Sequence, residues 1–333
     1  MKIWQVAREW SIDAMELVER PEPEPGPGQV VVRMRAASLN YRDLLTVQGQ
    51  GGAYKLPLIP FSDGAGEVAA VGQGVSRVSV GDRVCPMFFQ SWFDGGPSAG
   101  GRRLGLGGTR PGVLQELLLL DAEGVSRIPD HLTFAEAATL PCAALTAWRA
   151  LFEEAHLRPG QTILVQGTGG VSIFALQFAK LAGATVIVTS SSDEKLELIK
   201  GLGAAHVVNY KSNPEWGPFV GRELGGVDKV VEVGGAGTAE QSMAALRTQG
   251  EVALIGVLQP EGGPNPRGLM MTAGTMRGIF VGSAAMARRL NAAINANGIQ
   301  PLIGARFGFE QAKEAYAHAW GPDSFAKTVI ELV

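Results

Sequence analysis

The chain has 333 residues, of which 46% are hydrophobic and 18% charged, so it is long enough for two domains and apolar enough to give each a core. Its net charge of −3, without a long basic run, argues against a nucleic-acid partner and against binding to a membrane surface. Its two cysteines exclude a disulfide framework, and its four histidines are scattered without metal-ligand spacing. No apolar run reaches transmembrane length and the N-terminus resembles a strand, so a cytoplasmic protein is expected.

The N-terminal part of the chain alternates short β-rich runs with turn signals. Residues 29–35 and 66–71 are two such runs, and glycine stands before or after each. This pattern predicts a mainly antiparallel, barrel-like domain. Residues 86–112 are rich in glycine, proline and arginine without periodicity, and they are expected to form a long surface loop.

From about residue 144, apolar runs of strand length alternate with longer helical patterns. Strands are predicted at 162–166, 185–189, 206–209, 228–233, 250–257 and 278–282, and helices at 171–182, 193–202, 216–224 and 238–246. Such alternation is typical of an α/β, doubly wound parallel sheet. A last run at 326–332 is expected to return to the first domain. The predicted domains are therefore 1–143 with 284–333, and an inserted 144–283.

A glycine-rich turn follows the first strand of this parallel sheet. It consists of Gly167, Thr168, Gly169, Gly170, Val171 and Ser172. The first glycine permits a tight turn, the second lets a pyrophosphate approach the backbone, and the N-terminus of the next helix favours an anion. Serine replaces the third glycine of the dinucleotide fingerprint but is small enough to preserve the contact between helix and strand. Such turns also occur for purely geometric reasons, and it is the five further strands that favour dinucleotide binding.

The end of the second strand favours NADP(H) over NAD(H). An acidic residue there would bind the adenosine ribose and repel a 2′-phosphate. This strand instead runs into Ser190 and Ser191, with Lys195 one turn into the next helix. Hydroxyl and ammonium groups can bind the phosphate. Alternatively, the serines only cap the helix, Asp193 adds to the charge of its N-terminus, and Lys195 is solvated.

At this point the chain resembles the medium-chain dehydrogenase/reductase superfamily, and specifically its zinc-independent, quinone-oxidoreductase-like members. The motifs that carry the resemblance lie at 37–43, 60–68, 80–84, 140–148, 167–172, 202–204 and 326–329. They extend over essentially the whole chain. The resemblance implies a Rossmann domain inserted in a mainly-β, GroES-like barrel domain, and it implies a homodimer that pairs near the sixth strand.

Zinc-dependent members have cysteine, histidine and cysteine at three catalytic ligand positions. Here these positions hold Asn40, Ser62 and Cys142, with Asp63 where a nearby glutamate stands. One thiol beside an amide and a hydroxyl is a poor zinc site, so no metal is expected. Without a Lewis acid, hydride delivery remains feasible to an acceptor that is already electrophilic, which in zinc-free relatives is a quinone, an enal or an enone.

The resemblance implies that Asn40, Tyr41 and Ser62 line the position of the acceptor oxygen. Many quinone reductases of the family carry a tyrosine where this chain has Leu45, which leaves the proton donor open. Purely structural roles are the alternatives: Asn40 caps a helix, and Tyr41 packs beneath the cofactor. Arg42 either binds an anionic substrate group or is solvated, and Asp43 is expected to tie two loops together.

Matched positions imply further contacts with the cofactor. Thr146 is expected near the nicotinamide carboxamide, Tyr210 near the 2′-phosphate, and Lys327 near the phosphates, with a solvated lysine as the alternative. The ends of the fourth and fifth strands and the sixth strand are expected to contribute the remaining contacts. The residues concerned are Gly234, Ile255, Gly256, Val257, Phe280 and Val281.

The sequence thus favours an NADPH-dependent oxidoreductase that transfers hydride to a quinone or an α,β-unsaturated carbonyl compound without a metal. An NAD(P)-dependent alcohol dehydrogenase of the same superfamily is one alternative. A second is a catalytically silent nucleotide-binding protein with a structural role, as in the crystallins recruited from this superfamily.

Overall fold

The computed structural model describes residues 1–97, 105–256, 258 and 265–332. The chain forms two compact units, one made of Met1–Leu145 with Val281–Val333 and the other of Thr146–Phe280. The second unit is thus an insertion in the first. Among the described residues, no helix is both long and apolar enough to cross a membrane.

The first unit is built mainly from β-strands. Its elements before the insertion are β1 (Lys2–Val6), β2 (Met15–Glu19), β3 (Gln29–Ser38), α1 (Tyr41–Val47), β4 (Asp63–Val71), β5 (Arg83–Pro86), β6 (Leu117–Asp121), β7 (Val125–Arg127) and α2 (Phe134–Ala137). Its elements after the insertion are α9 (Ala284–Asn297), β14 (Ile303–Gly308), α10 (Ala312–Trp320) and β15 (Lys327–Glu331). The α3 helix (Leu145–Trp148) spans the boundary between the units, and a π-helical segment adjoins it on each side, Leu140–Ala144 and Arg149–Glu154.

The main sheet of the first unit has the strand order β14, β15, β3, β4, β5, β7, with β6 also paired to β3. β3 is buried along most of its length, since only Arg33 is exposed and only Gln29 and Arg35 are partly exposed. The core also contains Phe61 and Tyr316, whose rings lie edge to face with centroids 5.2 Å apart.

The second unit is a parallel sheet with helices on its crossovers. It contains β8 (Thr162–Gln166), α4 (Gly170–Leu181), β9 (Thr185–Ser190), α5 (Asp193–Gly201), β10 (His206–Asn209), α6 (Trp216–Glu223), β11 (Val227–Glu232), α7 (Ala239–Ala244), β12 (Leu246–Leu254), α8 (Arg267–Thr272) and β13 (Thr275–Gly278). The strand order is β10, β9, β8, β11, β12, β13. Every residue of β8 is buried, as expected for a parallel strand covered on both faces. The predicted α/β class, with a Rossmann domain and a GroES-like domain, is confirmed.

The last strand of the chain is also confirmed, because β15 pairs antiparallel with β3, with Val329 opposite Ser38. The sixth strand of the parallel sheet was predicted wrongly at 278–282. It ends at Gly278, and Val281 has a φ of 48°, a left-handed conformation that a strand does not contain. The α9 helix was missed, although Ser283 caps it by accepting a hydrogen bond from the Met286 amide.

The expected surface loop at 86–112 is wrong for its first part. Met87, Phe88, Phe89 and Trp92 are buried, and Phe89 forms an isolated bridge with Gly105. The glycine and proline content suggested a surface loop, but the aromatic side chains are buried because burying each one removes a large apolar area from water. Residues 98–104 lie outside the described part of the chain.

Candidate functional site

The first cluster of candidate residues lies where β3 ends and β4 begins. Asn40 precedes the first residue of α1, and the Asp43 carboxylate accepts its backbone N–H at 2.9 Å. The same carboxylate accepts the backbone N–H of Ser62 at 3.2 Å. Asp43 therefore joins the two segments that carry Asn40 and Ser62, as the sequence suggested.

A chain of side-chain hydrogen bonds connects this cluster. The Asn40 amide Nδ2 donates to Ser62 Oγ at 3.3 Å, and Ser62 Oγ donates to Asp63 Oδ1 at 2.8 Å. The second oxygen, Asp63 Oδ2, accepts the backbone N–H of Cys142 at 2.8 Å. The Ser62 proton is therefore directed to Asp63, whereas an amide nitrogen carries two protons and Asn40 Nδ2 can donate to a second acceptor.

Asp63 is fully buried, and this changes its acidity. Burial raises the pKa of Asp63 from 3.8 to about 6. The Lys327 ammonium, the hydrogen bond from Ser62 and the nearby Asn40 amide oppose this rise, while the Asp43 carboxylate adds to it. The folded protein thus binds a proton at this site more tightly than the unfolded chain does.

Replacing Asp63 by asparagine should therefore flatten part of the pH dependence of stability. Since the pKa of Asp63 is higher when folded, this group favours folding fully below pH 3.8, and its contribution is lost as the pH rises through about 6. We expect the fall in unfolding free energy between about pH 4 and pH 7 to be smaller in Asp63→Asn than in the wild type by about 2 kcal/mol. Urea titrations at several pH values measure this, and parallel pH profiles for the two proteins would contradict it.

Lys327 does not have the environment expected from the sequence. Its side chain is buried, so the solvated alternative is wrong. Its Nζ donates to Asn40 Oδ1 at 2.6 Å and also to the backbone carbonyl of Leu39. The Lys327 ammonium, which was expected near the cofactor phosphates, is thus hydrogen-bonded to two acceptors of the protein. Lys327 therefore belongs to the cluster around Asn40.

Tyr41 and Arg42 follow Asn40 in the chain, and their side chains have different surroundings. The Tyr41 side chain is 42% exposed, and its ring centroid lies 6.4 Å from that of Trp320. The Arg42 guanidinium donates to Asp43 and to the carbonyls of Leu106 and Gly107, at 2.9 to 3.0 Å. All three contacts are made by Nη1, so this side of the Arg42 guanidinium is bound to acceptors of the protein itself and the arginine is not simply solvated.

The residues at the three family ligand positions do not fit a zinc ion. A cysteine binds zinc as the thiolate. Burial raises the pKa of the Cys142 thiol strongly, and the nearby Asp63 carboxylate raises it further. Asn40 and Ser62 contribute an amide and a hydroxyl that are hydrogen-bonded to each other. In the part of the chain that the structure describes, no three histidine, cysteine or carboxylate side chains are placed to hold a metal ion.

The glycine-rich turn fits a dinucleotide pyrophosphate. Gly167 has a φ of 71°, which favours glycine, and Gly169 directly precedes α4. A Cβ atom added at either glycine would meet nothing within 4 Å, so both backbones face open space at the N-terminus of α4. Ser172 Oγ donates to the Gln166 carbonyl at 2.6 Å, so this serine does join helix to strand. Thr168 is buried, and Gly170 and Val171 begin α4 half-buried.

The candidates for binding the 2′-phosphate lie at the ends of β9 and β10. Ser190 is buried and its hydroxyl accepts the Ser192 backbone N–H at 3.3 Å, while Ser191 is half-buried. Ser192 accepts the Lys195 backbone N–H at 3.3 Å, so the capping alternative holds for this third serine. The Tyr210 N–H donates to the Ser190 carbonyl at 3.1 Å, which brings Tyr210, 42% exposed, to the same sheet edge.

At the ends of β11 and β12, backbone N–H groups donate to acceptors within the protein. The buried Glu232 carboxylate accepts the N–H groups of Gly234 and Gly235 at 2.7 and 2.9 Å. Its backbone carbonyl accepts those of Ile255 and Gly256 at 2.8 and 3.1 Å. The amides of Gly234, Ile255 and Gly256 are thus used within the sheet, and the backbone contacts predicted for these residues would have to involve their carbonyl groups.

Sequence reasoning missed Glu232 and its partner Gln166, although a carboxylate that ends an apolar strand is a recognisable signal. Gln166 Nε2 donates to Glu232 Oε2 at 2.6 Å and ties the strand before the glycine turn to the end of β11. Of the remaining candidates, Thr146 is buried, Phe280 is 51% exposed and Val281 is buried. Val257 lies outside the described residues.

Comparisons with known proteins agree with this two-unit fold. Residues 26–130 match the family model described as "Alcohol dehydrogenase GroES-like domain", and residues 170–296 match "Zinc-binding dehydrogenase". The chain is 45% identical over 319 residues to a zinc-type alcohol dehydrogenase-like protein of Schizosaccharomyces pombe, which covers 92% of this chain and 91% of that protein.

Two further relatives are reductases by name. An acryloyl-coenzyme A reductase of Metallosphaera sedula is 30% identical over 252 residues, 74% of either chain. The solved structure of a crotonyl-CoA carboxylase/reductase in complex with NADP superimposes with a TM-score of 0.87 at 26% identity, over 99% of this chain and 94% of that one. Together with the family models and the yeast relative, they show that the chain belongs to the medium-chain dehydrogenase/reductase superfamily and is an oxidoreductase of that family.

Proposed function

We propose that the chain is an NADPH-dependent reductase that transfers hydride to a carbon–carbon double bond conjugated with a carbonyl group, in a quinone, an enal or an enone, without a metal ion. One observation carries this proposal. The three family ligand positions form a set of neutral groups, in which the Asn40 amide bonds to Ser62 Oγ and the Cys142 thiol has a raised pKa. Such a set can donate hydrogen bonds to a developing oxyanion but does not suit zinc.

The chemistry of a conjugated acceptor matches these groups. Bound NADPH supplies a hydride, and negative charge then develops on the carbonyl oxygen of the acceptor. The Asn40 amide is suited to donate to this oxygen, because its other proton is held by Ser62 and its oxygen by Lys327. Ser62 itself donates to Asp63, so we assign it the role of holding Asn40 in place rather than that of primary donor.

The preference for NADPH rests on the end of β9. The hydroxyls of Ser190 and Ser191, the phenol of Tyr210 and the ammonium of Lys195 can surround a 2′-phosphate. Two acidic residues, Asp193 and Glu194, stand in the first turn of the helix that carries Lys195. Asp193 accepts a hydrogen bond from Asn209 Nδ2 at 2.8 Å, which directs its carboxylate to β10. The NADP named with the carboxylase/reductase structure agrees with this choice.

Replacing Lys195 by alanine is expected to weaken NADPH binding about tenfold to a hundredfold and to leave NADH binding unchanged, because one charge-assisted hydrogen bond to the 2′-phosphate is lost. Fluorescence titration with both nucleotides measures this difference. Lys200→Ala is the matched control, since Lys200 lies later in the same helix and pairs with Glu197. An equal loss of affinity for both nucleotides would exclude the 2′-phosphate contact.

An NAD(P)-dependent alcohol dehydrogenase is the second candidate, favoured by the name of the yeast relative and the GroES-like model. Oxidising an unactivated alcohol normally needs a Lewis acid, and the donor set around Asn40 offers none. A catalytically silent nucleotide-binding protein is a third candidate. All three bind a nucleotide, so acceptor chemistry separates them.

A matched pair of acceptors tests the proposed function. We expect NADPH oxidation with 2-butenal and 1,2-naphthoquinone, and none above background with butanal, which has the aldehyde but lacks the conjugated double bond. Turnover of butanal or oxidation of butanol would favour the alcohol dehydrogenase. NADPH binding without turnover of any of these acceptors would favour the silent binder.

We also propose a homodimer. The β13 strand forms an edge of its sheet, and Met270 and Met271, in the helix before it, are each 70% exposed. Light scattering should then give about twice the chain mass of 35.0 kDa, and a monomer at micromolar concentration would contradict the pairing.

A further inference from the structure

Lys327 is a buried cation whose position is fixed by strand pairing. It opens β15, and the next residue, Thr328, accepts the backbone N–H of Leu39 through its carbonyl at 3.0 Å. This pairing places Lys327 beside Asn40, which follows Leu39. Its exposed fraction is 2%, so its ammonium is held by protein groups rather than by water.

The contact of Lys327 with Asn40 fixes which way the amide points. Nζ donates to Asn40 Oδ1 at 2.6 Å, and the nitrogen on the other side of the same amide donates to Ser62 Oγ at 3.3 Å. An amide turned by half a rotation would set its NH2 group against the ammonium. The ammonium also withdraws electron density from the amide oxygen, which makes the Nδ2–H a stronger donor.

The charges around Lys327 explain how a buried ammonium is tolerated. Burial lowers the pKa of Lys327, while the nearby Asp63, Cys142 and Asp43 act in the opposite direction. Arg42 pairs with Asp43 at 3.0 Å, which leaves Asp63 as the carboxylate that balances Lys327. The cluster is thus neutral as a whole but has its positive group at the Asn40 amide.

We propose that Lys327 is a positioning residue that orients and polarises the Asn40 amide, and so supplies the positive charge that a metal ion supplies in zinc-dependent relatives. This inference rests on the proposed function, in which Asn40 donates to the acceptor oxygen. It replaces the role at the cofactor phosphates that the sequence suggested. A structural lysine would stabilise the cluster without altering the strength of the oxyanion donor.

A double-mutant cycle tests whether Lys327 acts through Asn40. Lys327→Gln keeps a donor for Asn40 Oδ1 but removes the charge, and Lys327→Met removes both. We expect single-turnover hydride transfer to fall about tenfold in Lys327→Gln and further in Lys327→Met, with the affinity for NADPH unchanged. Lys313→Met is the control, because Lys313 is a half-buried lysine of the same unit whose ammonium donates to the Asp13 carbonyl.

Coupling between the two positions gives the decisive result. If Lys327 acts through Asn40, adding Lys327→Gln to Asn40→Ala should change the rate by less than about twofold. Fully multiplicative effects would overturn the proposal, because Lys327 would then act independently of the amide. If the Lys327 variants instead lost affinity for NADPH while the hydride-transfer rate stayed unchanged, the result would overturn this proposal and support a contact between Lys327 and the cofactor phosphates.

A measurement without turnover separates this inference from the proposed function. 4-Nitrophenol becomes coloured on ionisation, and its phenolate oxygen resembles the developing oxyanion. We expect the wild type to lower the pKa of bound 4-nitrophenol, and Lys327→Gln to lower it less, even if no acceptor is reduced. Equal shifts in the two folded proteins would overturn the role of Lys327, whereas a failed acceptor screen would overturn only the reductase.

Discussion

Replacing Asn40 by alanine is expected to slow hydride transfer by about 10²- to 10³-fold, the usual cost of removing one oxyanion donor. The affinity for NADPH should not change, because the residues that fit the nucleotide belong to the other unit. Single-turnover NADPH oxidation with 2-butenal measures the rate, and fluorescence titration measures the affinity.

Asn297→Ala is the control for this variant. The Asn297 side chain donates to the Ala293 carbonyl at 2.9 Å on the exposed face of α9, so its loss should leave both quantities unchanged. A fall of less than about threefold in Asn40→Ala would mean that another group binds the acceptor oxygen. In the variant Asp63 would keep its bonds from Ser62 and Cys142, and Lys327 would keep the Leu39 carbonyl, so a folded protein is expected.

Two glycines that follow strands of the parallel sheet, Gly169 after β8 and Gly256 after β12, are expected to respond to alanine in opposite ways. A Cβ atom on Gly256 would lie 1.6 Å from the Val233 carbonyl oxygen, so the ends of β11 and β12 must move apart. We expect Gly256→Ala to lower the free energy of unfolding by about 3 kcal/mol or more, since the clash is with backbone rather than with a flexible side chain.

Gly169→Ala should leave folding stability unchanged, because its Cβ would meet nothing within 4 Å and its φ of −79° suits alanine. The added methyl group would occupy space where the pyrophosphate approaches the backbone, so the affinity for NADPH should fall about tenfold or more. Thermal unfolding and nucleotide titration of both variants measure the contrast. A stable Gly256→Ala, or a Gly169→Ala that binds NADPH normally, would contradict the respective assignment.

Much of the fold could be predicted because local pattern and tertiary structure agree. A few residues of local sequence are enough to identify the buried strand β8, the glycine turn after it and the capped start of α5. The alternation of strands and helices then limits the possible sheet topologies. The sixth strand was placed too late because the apolar run continues past Gly278 into a left-handed turn at Val281. An apolar run in the sequence indicates that residues are buried, but it does not distinguish a strand from a packed turn.

The candidate site was predictable only where residue type limits function. The absence of imidazole and paired thiols at Asn40, Ser62 and Cys142 is visible in the sequence. The placement of Lys327 beside Asn40 depends on the pairing of β15 with β3, which joins residues almost 300 positions apart. The use of the Gly234 and Gly256 amides by Glu232 likewise depends on three-dimensional packing.

The central claim, metal-free reduction of a conjugated acceptor, can be tested on one sample of purified protein. Zinc content and the rate of NADPH oxidation by 1,2-naphthoquinone would be measured before and after dialysis against a strong chelator. We predict far less than one zinc per chain and an unchanged rate. One zinc per chain, with activity lost on chelation and restored by added zinc, would contradict the account.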